Sequence, residues 1–338
     1  MANRYWVGGT GTWNTTSTAN WSTTSGGAAG ASAPGVADVA IFNASSGAGV
    51  ITLGETVDIF RATWVGYTGS FNPSTFEINV VGASATGVWS GGTTAIFLAI
   101  PTVNFTNNSS TTRVVNFGST ATDRIMNVNV TAGTGVFEIV SPSFVNNLSF
   151  SGYTGQLTPG DITINGNLTL GTGMTVGFSS NVLSFAQPGS KSITTNGVAL
   201  DLNISFPSTA SGGTWSFADA LTQGSTKTFT IAAGTVKLKA GATSAVGSFV
   251  ANSNVQKYLG STLDGTQATL TQSTGSVNVS QLAIQDINAT GGATWNAYVD
   301  YDNEDAGNND GWNFGLSPPY ETYEPPIIIR SFTQPRRF

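Results

Sequence analysis

Cysteine and histidine are both missing from these 338 residues. That removes disulfide frameworks, thiolate nucleophiles, zinc-thiolate sites and imidazole bases. Serine-histidine-acid and cysteine-histidine catalysis go with them. Charge is scarce as well: 9% of the residues are Asp, Glu, Lys or Arg, against about 25% in an ordinary soluble domain. With 12 basic and 18 acidic residues and a net charge of -6, the chain lacks the clustered cations that neutralise phosphates, so direct nucleic-acid binding is not expected. Helix-forming Lys, Glu and Arg are too few to build an amphipathic helix. No apolar run approaches the roughly 20 residues that span a bilayer. Met1-Ala2-Asn3-Arg4 leads at once into foldable sequence rather than a signal peptide's apolar segment. The expectation is therefore synthesis in a cytoplasm and no membrane attachment.

Glycine, serine, threonine and asparagine supply the polarity instead. There are 42 Gly, while 39% of the residues are apolar and 10% aromatic. The apolar residues alternate with polar ones, as in Phe76-Glu77-Ile78-Asn79-Val80, Met126-Asn127-Val128-Asn129-Val130 and Leu200-Asp201-Leu202-Asn203-Ile204-Ser205-Phe206. Each run is short and bounded by Gly, Asn or Pro, the pattern of half-buried strands joined by turns.

A repeat gives the strands an architecture. Gly66-Tyr67-Thr68-Gly69-Ser70-Phe71 recurs 86 residues later as Gly152-Tyr153-Thr154-Gly155-Gln156-Leu157. The match extends outward at the same offset, pairing Ile59 with Val145, Trp64 with Phe150, Pro73 with Pro159 and Ile78 with Ile164. A partial third copy falls at Val279, Leu282 and Ile284. Such recurrence marks stacked units that bury their apolar faces only against neighbours. The predicted fold is all-β, a parallel β-helix or solenoid with coils of roughly 20 to 25 residues, aromatic caps and an extended C-terminal arm. Tandem immunoglobulin-like β-sandwiches are the alternative, since 86 residues is close to one such domain. The predicted organisation is an N-terminal β cap over 1–57, a β-helical body over 58–315 and the arm over 316–338.

The arm is a different material. Residues 316–338 hold five of the chain's 12 prolines, and three of its 12 basic residues lie in the last nine positions. The two Pro pairs favour extended geometry, and three consecutive isoleucines could add as a strand to another sheet's edge. Tyr320, Tyr323, Ile327, Ile328, Ile329, Arg330, Phe332, Arg336, Arg337 and Phe338 are accordingly predicted to dock on a partner or a sister subunit.

Other candidates read as structural. Asp300, Asp302, Glu304, Asp305 and Asp310, mixed with Asn303, Asn308 and Asn309, could offer oxygen ligands to calcium. Their spacing departs from an EF-hand loop, because Gly307 comes late and Gly311 stands where the bidentate Glu belongs. A solvated acidic loop closing the solenoid is the preferred reading. Asp201 and Asp219 could supply the two carboxylates of a glycosidase, but Asp201 sits at an outward position between Leu200 and Leu202. Trp6, Trp13, Trp21 and Trp312 could stack sugars, although their concentration near the chain ends favours capping. No enzymatic activity, catalytic residue, cofactor or metal is predicted.

The frame Trp6-x-Gly8-Gly9-x-Gly11-x-Trp13 with Asn20-Trp21, Pro34 and Asp38 resembles the opening of many tailed-phage virion proteins and of autotransporter passenger repeats. Gly212-Gly213-Thr214-Trp215-Ser216-Phe217, Thr228-Phe229-Thr230-Ile231 and the closing Gly307-Asn308-Asn309-Asp310-Gly311-Trp312-Asn313-Phe314 are similar to β-helical coils of those phage proteins. The resemblance implies a non-enzymatic virion protein, a capsid decoration or cement protein on the capsid exterior, with the major capsid protein and sister subunits as partners. A homotrimer follows by analogy. The alternative is a tail fibre or tailspike that recognises host surface polysaccharide. Autotransporters require a signal and a membrane barrel, which weakens that branch of the resemblance.

Overall fold

The computed structural model describes residues 1–85, 87–92, 94–118, 125–177 and 179–318. Its strands stack as a β-solenoid of about 11 turns. The alternation that is visible in the sequence sets the inside and the outside. Within Thr102–Phe105, Val103 and Phe105 are fully buried while Thr102 and Asn104 face outward. In register, Ile78, Val103, Val128, Leu148, Leu168, Ile193 and Phe217 form one inward ladder through successive coils. All of them are buried. Burial of each such side chain contributes about 1.5–3 kcal/mol, and no coil can gain it without a neighbour.

Each coil visits three faces in a fixed order. The first face begins as a nine-stranded sheet that contains Ala2–Trp6 and runs on to Thr175–Val176. Single bridges, Leu200 to Gln223 and Thr222 to Ala245, carry it to the three strands Thr243–Val246, Ala268–Gln272 and Ile287–Gly291. The second face is a four-stranded sheet from Gly11–Trp13 to Ile96–Phe97. A six-stranded sheet from Ser143–Val145 to Ser248–Val250 continues it, and a three-stranded sheet ends it at Trp312–Asn313. The third face is one twelve-stranded sheet running unbroken from Val57–Ile59 to Glu304–Asp305. Partners on it lie 25 residues apart at Val103 and Val128 and 20 apart at Val128 and Leu148. At about 4.8 Å per strand spacing, the rod is about 50 Å long.

Parallel pairing overturns the tandem-sandwich alternative. Sandwiches are antiparallel, whereas the one antiparallel pair among the named strands joins Ala2–Trp6 to Trp21–Ser22 at the N-terminal end. The segment 1–57 is continuous with the body, since Asp38–Ile41 pairs directly with Arg61–Thr63 and Val50–Leu53 with Ser70–Asn72.

The 86-residue repeat proves to be a corner. In both copies the tyrosine side chain turns back onto the preceding coil. The Tyr67 hydroxyl donates to Gly49 O at 2.8 Å and to Ser70 O at 3.2 Å. The Tyr153 hydroxyl donates to Gly135 O at 2.6 Å and to Gln156 O at 3.0 Å. The same glycine oxygens also accept from Ser70 N and Gln156 N. Only glycine fits at 69 and 155, because a Cβ there would overlap the tyrosine hydroxyl and the glycine carbonyl below. The two corners occupy different edges of the rod. The first leads from Arg61–Thr63 on the first face to Ser70–Asn72 on the second. The second leads from Leu148–Ser149 on the third face to Gln156–Pro159 on the first. The offset is therefore not a whole number of coils.

Outside, polar side chains form their own ladder. Asn129 Nδ2 donates to Asn104 Oδ1 at 2.9 Å, Asn104 Nδ2 to Asn79 Oδ1 at 2.8 Å, and Asn79 Nδ2 to Asp58 Oδ1 at 2.7 Å. The ladder repeats with the coil and fixes register on the solvent side.

Candidate functional site

Every residue predicted to dock a partner, from Tyr320 to Phe338, lies outside the described residues. What the structure describes is the rod to which that segment attaches, its two ends and its faces.

The N-terminal end is closed by rings. Trp6, Trp13, Trp21 and Phe42 are all fully buried. Trp21 meets Trp6 at 5.2 Å and Trp13 at 5.4 Å between ring centroids, both edge-to-face. Phe42 stacks on Trp64 at 4.0 Å, which joins the cap to the core of the next coil. Offset and edge-on ring pairs add about 0.5–1.5 kcal/mol beyond burial. With no exposed ring face, Trp6, Trp13 and Trp21 cannot stack a sugar. Trp312, half-buried at the other end, packs edge-on against Trp295 at 5.0 Å.

The C-terminal end is closed by amides. Asn303, buried, accepts from Leu282 N at 3.0 Å and donates to Val279 O and Tyr298 O at 2.8 and 2.9 Å. Asn309 accepts from Ile287 N and donates to Ile284 O. These contacts replace the main chain that a further coil would have supplied. Three of the five acidic residues considered for calcium are engaged by neighbouring donors. Asp305 accepts from Gly307 N and Asn309 Nδ2, Asp310 from Gln267 Nε2, and Asp300 from Ser317 N and Oγ. The Ser317 bonds hold the Asp300 carboxyl below the usual carboxylate range. Among the described residues no three acidic groups converge as a metal site.

Three cations are buried, Arg113, Lys227 and Lys257, and the sequence reading missed them. Arg113 lies between the Phe137 and Tyr153 rings, 5.3 Å from each centroid, and donates to Asn107 O and Ala132 O. Its position was legible, because the inward Val115 places Arg113 on the same side of its strand. Lys227 donates to Ser179 O at 2.7 Å, with Asp201 Oδ1 4.0 Å away. Lys257 Nζ sits among four carbonyl oxygens, Ser253, Val255, Ser280 and Gln281, at 2.6 to 3.4 Å. Burial pushes its pKa down to about 8, while the four acceptors favour the fully protonated group. Of the two carboxylates considered for glycoside hydrolysis, Asp219 accepts from Thr195 N, and Asp201 Oδ1 lies 4.0 Å from Lys227 Nζ.

Lys257 pins a bulge that shapes the outer side of the twelve-stranded sheet. Asn252 pairs with Ser280 but Lys257 pairs with Leu282, so extra residues loop out between them. The loop walls a shallow groove of about 410 Å3. Its floor is one outward column in register: Thr214, Thr235, Tyr258, Ala283 and Glu304. Tyr258 donates to Gln285 Oε1 at 2.6 Å, and its ring lies over Gly260, where an added Cβ would come within 2.5 Å of it. Burial, then the nearby Asp264 and Asp286 carboxylates, raise the Tyr258 phenol above its ordinary pKa.

No protein-family model, curated protein or solved structure matches this chain. Among the described residues, no helix is long and apolar enough to cross a membrane.

Proposed function

We propose that the chain is a non-enzymatic structural protein of a tailed-phage particle, and specifically a capsid decoration protein. The observation that carries the reading is how the rod disposes of its polar groups. Asp300, Asp305, Asn303, Asn309 and the buried Arg113 and Lys257 bond the chain's own backbone rather than gathering around a substrate. Such a rod is stiff, closed at both ends and continuous along one twelve-stranded face. A body of this kind can spread load over a surface, because each coil's backbone bonds and apolar ladder are shared with its neighbours. In this reading the segment 319–338, with its isoleucine triplet and three arginines, pins the rod to the major capsid protein or to a sister subunit, in a trimer.

Quantitative mass spectrometry of purified particles, normalised to the major capsid protein, tests the assignment. A ratio approaching one copy per shell subunit is expected. A handful of copies per particle would move the protein to the tail and sink the decoration reading. Truncation after Pro318 tests the anchor: the shortened protein should no longer coat capsids, and coating at full occupancy would rule the anchor out.

A further inference from the structure

We infer that a pocket at the corner between the second and third faces, beside Asn165 and Lys191, binds a small monocarboxylate with a short apolar body. The site lies apart from the 253–256 bulge and does not depend on the capsid role. Its origin is a step in corner length. Val145, Ile164 and Phe185 stand in register on the second face, and Leu148, Leu168 and Ile193 in register on the third. The first two coils therefore turn the corner in three and four positions, whereas the next takes eight. The longer corner overhangs the shorter ones and leaves a pocket of about 260 Å3, lined by Ile125, Asn146, Asn165, Gln187, Pro188 and Lys191. That is room for a small organic acid rather than a drug-sized ligand. The step is held in place, because Ser192 N donates to Asn167 Oδ1 at 2.8 Å and Asn146 Nδ2 to Asn127 Oδ1 at 2.9 Å.

The observation that points to a ligand is Asn165. The residue is 6% exposed, yet its side-chain amide makes no hydrogen bond among the described residues. Buried amides are nearly always satisfied. The other buried amides of this chain follow that rule, since Gln223, Gln272, Asn296 and Asn303 each make at least two such bonds. Asn165 is the exception, and it borders the pocket. Lys191 sets the charge. Its ammonium has no hydrogen-bond or ion-pair partner among the described residues, and no acidic residue lines the pocket. The Gln187 amide is equally unengaged among them. One cation and two amide donors suit the two oxygens of a single carboxylate, whereas a phosphate dianion would be left half-neutralised. Ile125 and Pro188 offer the apolar wall against which the body of the acid would pack.

Isothermal titration of the full chain with sodium hexanoate and sodium benzoate tests the site, with hexanamide, benzamide and inorganic phosphate titrated alongside. At least one of the two acids should bind, and its uncharged amide analogue should bind about tenfold more weakly or worse. Lys191→Met, which keeps the length of the side chain and removes its charge, should weaken carboxylate binding by about tenfold or more. Asn165→Leu separates a ligand-facing amide from a structural one. It keeps the volume and removes a group that bonds nothing inside the protein, so the urea midpoint should hold or rise while carboxylate binding falls about tenfold. The proposal is overturned if neither acid binds, or if the amide analogues or phosphate bind as tightly as the acids. It is equally overturned if either variant binds like the parent, or if Asn165→Leu lowers the urea midpoint, which would assign the amide to the fold.

Discussion

The two ends of the rod meet the same problem with opposite chemistry. A solenoid's last coil exposes an apolar core and a row of unpaired backbone groups. At the N-terminal end both are covered by volume: three indoles and a phenyl ring seal the core, and Trp21–Ser22 lies antiparallel along the outermost strand. At the C-terminal end the closing strands are only two residues long, and the amides of Asn303 and Asn309 take up the backbone groups one at a time. One cap is dry and cooperative, while the other is wet, piecemeal and acidic. The acidic rim also discourages edge-to-edge pairing with another chain.

The comparison breaks most sharply if the dry cap is opened. Trp21→Ala removes a ring that touches Trp6, Trp13 and Phe42, and a loss of about 3–5 kcal/mol is expected. It should appear as a lower urea midpoint, with faster hydrogen exchange through the first coils. Asn303→Ala should cost less, about 1–3 kcal/mol, by stranding Leu282 N, Val279 O and Tyr298 O. Here the exchange should speed up only over residues 279–315. Unfolding of the whole rod from Asn303→Ala would show that the two caps do not differ in kind.

Smaller effects should come from the corners between the ends. Tyr67→Phe and Tyr153→Phe each remove a hydroxyl shared by two carbonyls, at a cost of about 1 kcal/mol. Equal midpoint shifts are expected if the corner works alike on different edges, and a twofold disparity would show that it does not. The smallest effect is one of pH. Burial raises the Tyr67 phenol to about 12, whereas an unfolded tyrosine ionises near about 10. The folded chain then holds more protons between those values, so the stability this phenol supplies is intact below about pH 10 and falls as pH rises toward 12. The difference between the urea midpoints of the parent and Tyr67→Phe should shrink across that window.

How much of this was legible depended on whether the signal was periodic. Alternation such as Thr102–Phe105 gave the strands and their faces directly, and clustered tryptophans gave the dry cap. The wet cap was half-hidden, since Asn and Asp in close succession are the material both of oxygen-ligand metal loops and of backbone capping. Only the hydrogen bonds of Asn303 and Asn309 separate the two. The groove gave almost no signal: the bulge comes from a mismatch between two strands, and the one local hint was a glycine two residues after Tyr258. Lys257 gave no signal, because its acceptors are carbonyls, which every residue carries.

The displaced corner repeat has a consequence for angular position. Because the chain places one corner on two different edges of the rod, each stretch that spans a single face acts as a tooth on a gear. Adding or deleting one such stretch, strand plus corner, would rotate everything downstream by about a third of a revolution and leave the axis straight. A surface feature such as the groove could thus be pointed toward a different neighbour without changing a residue within it.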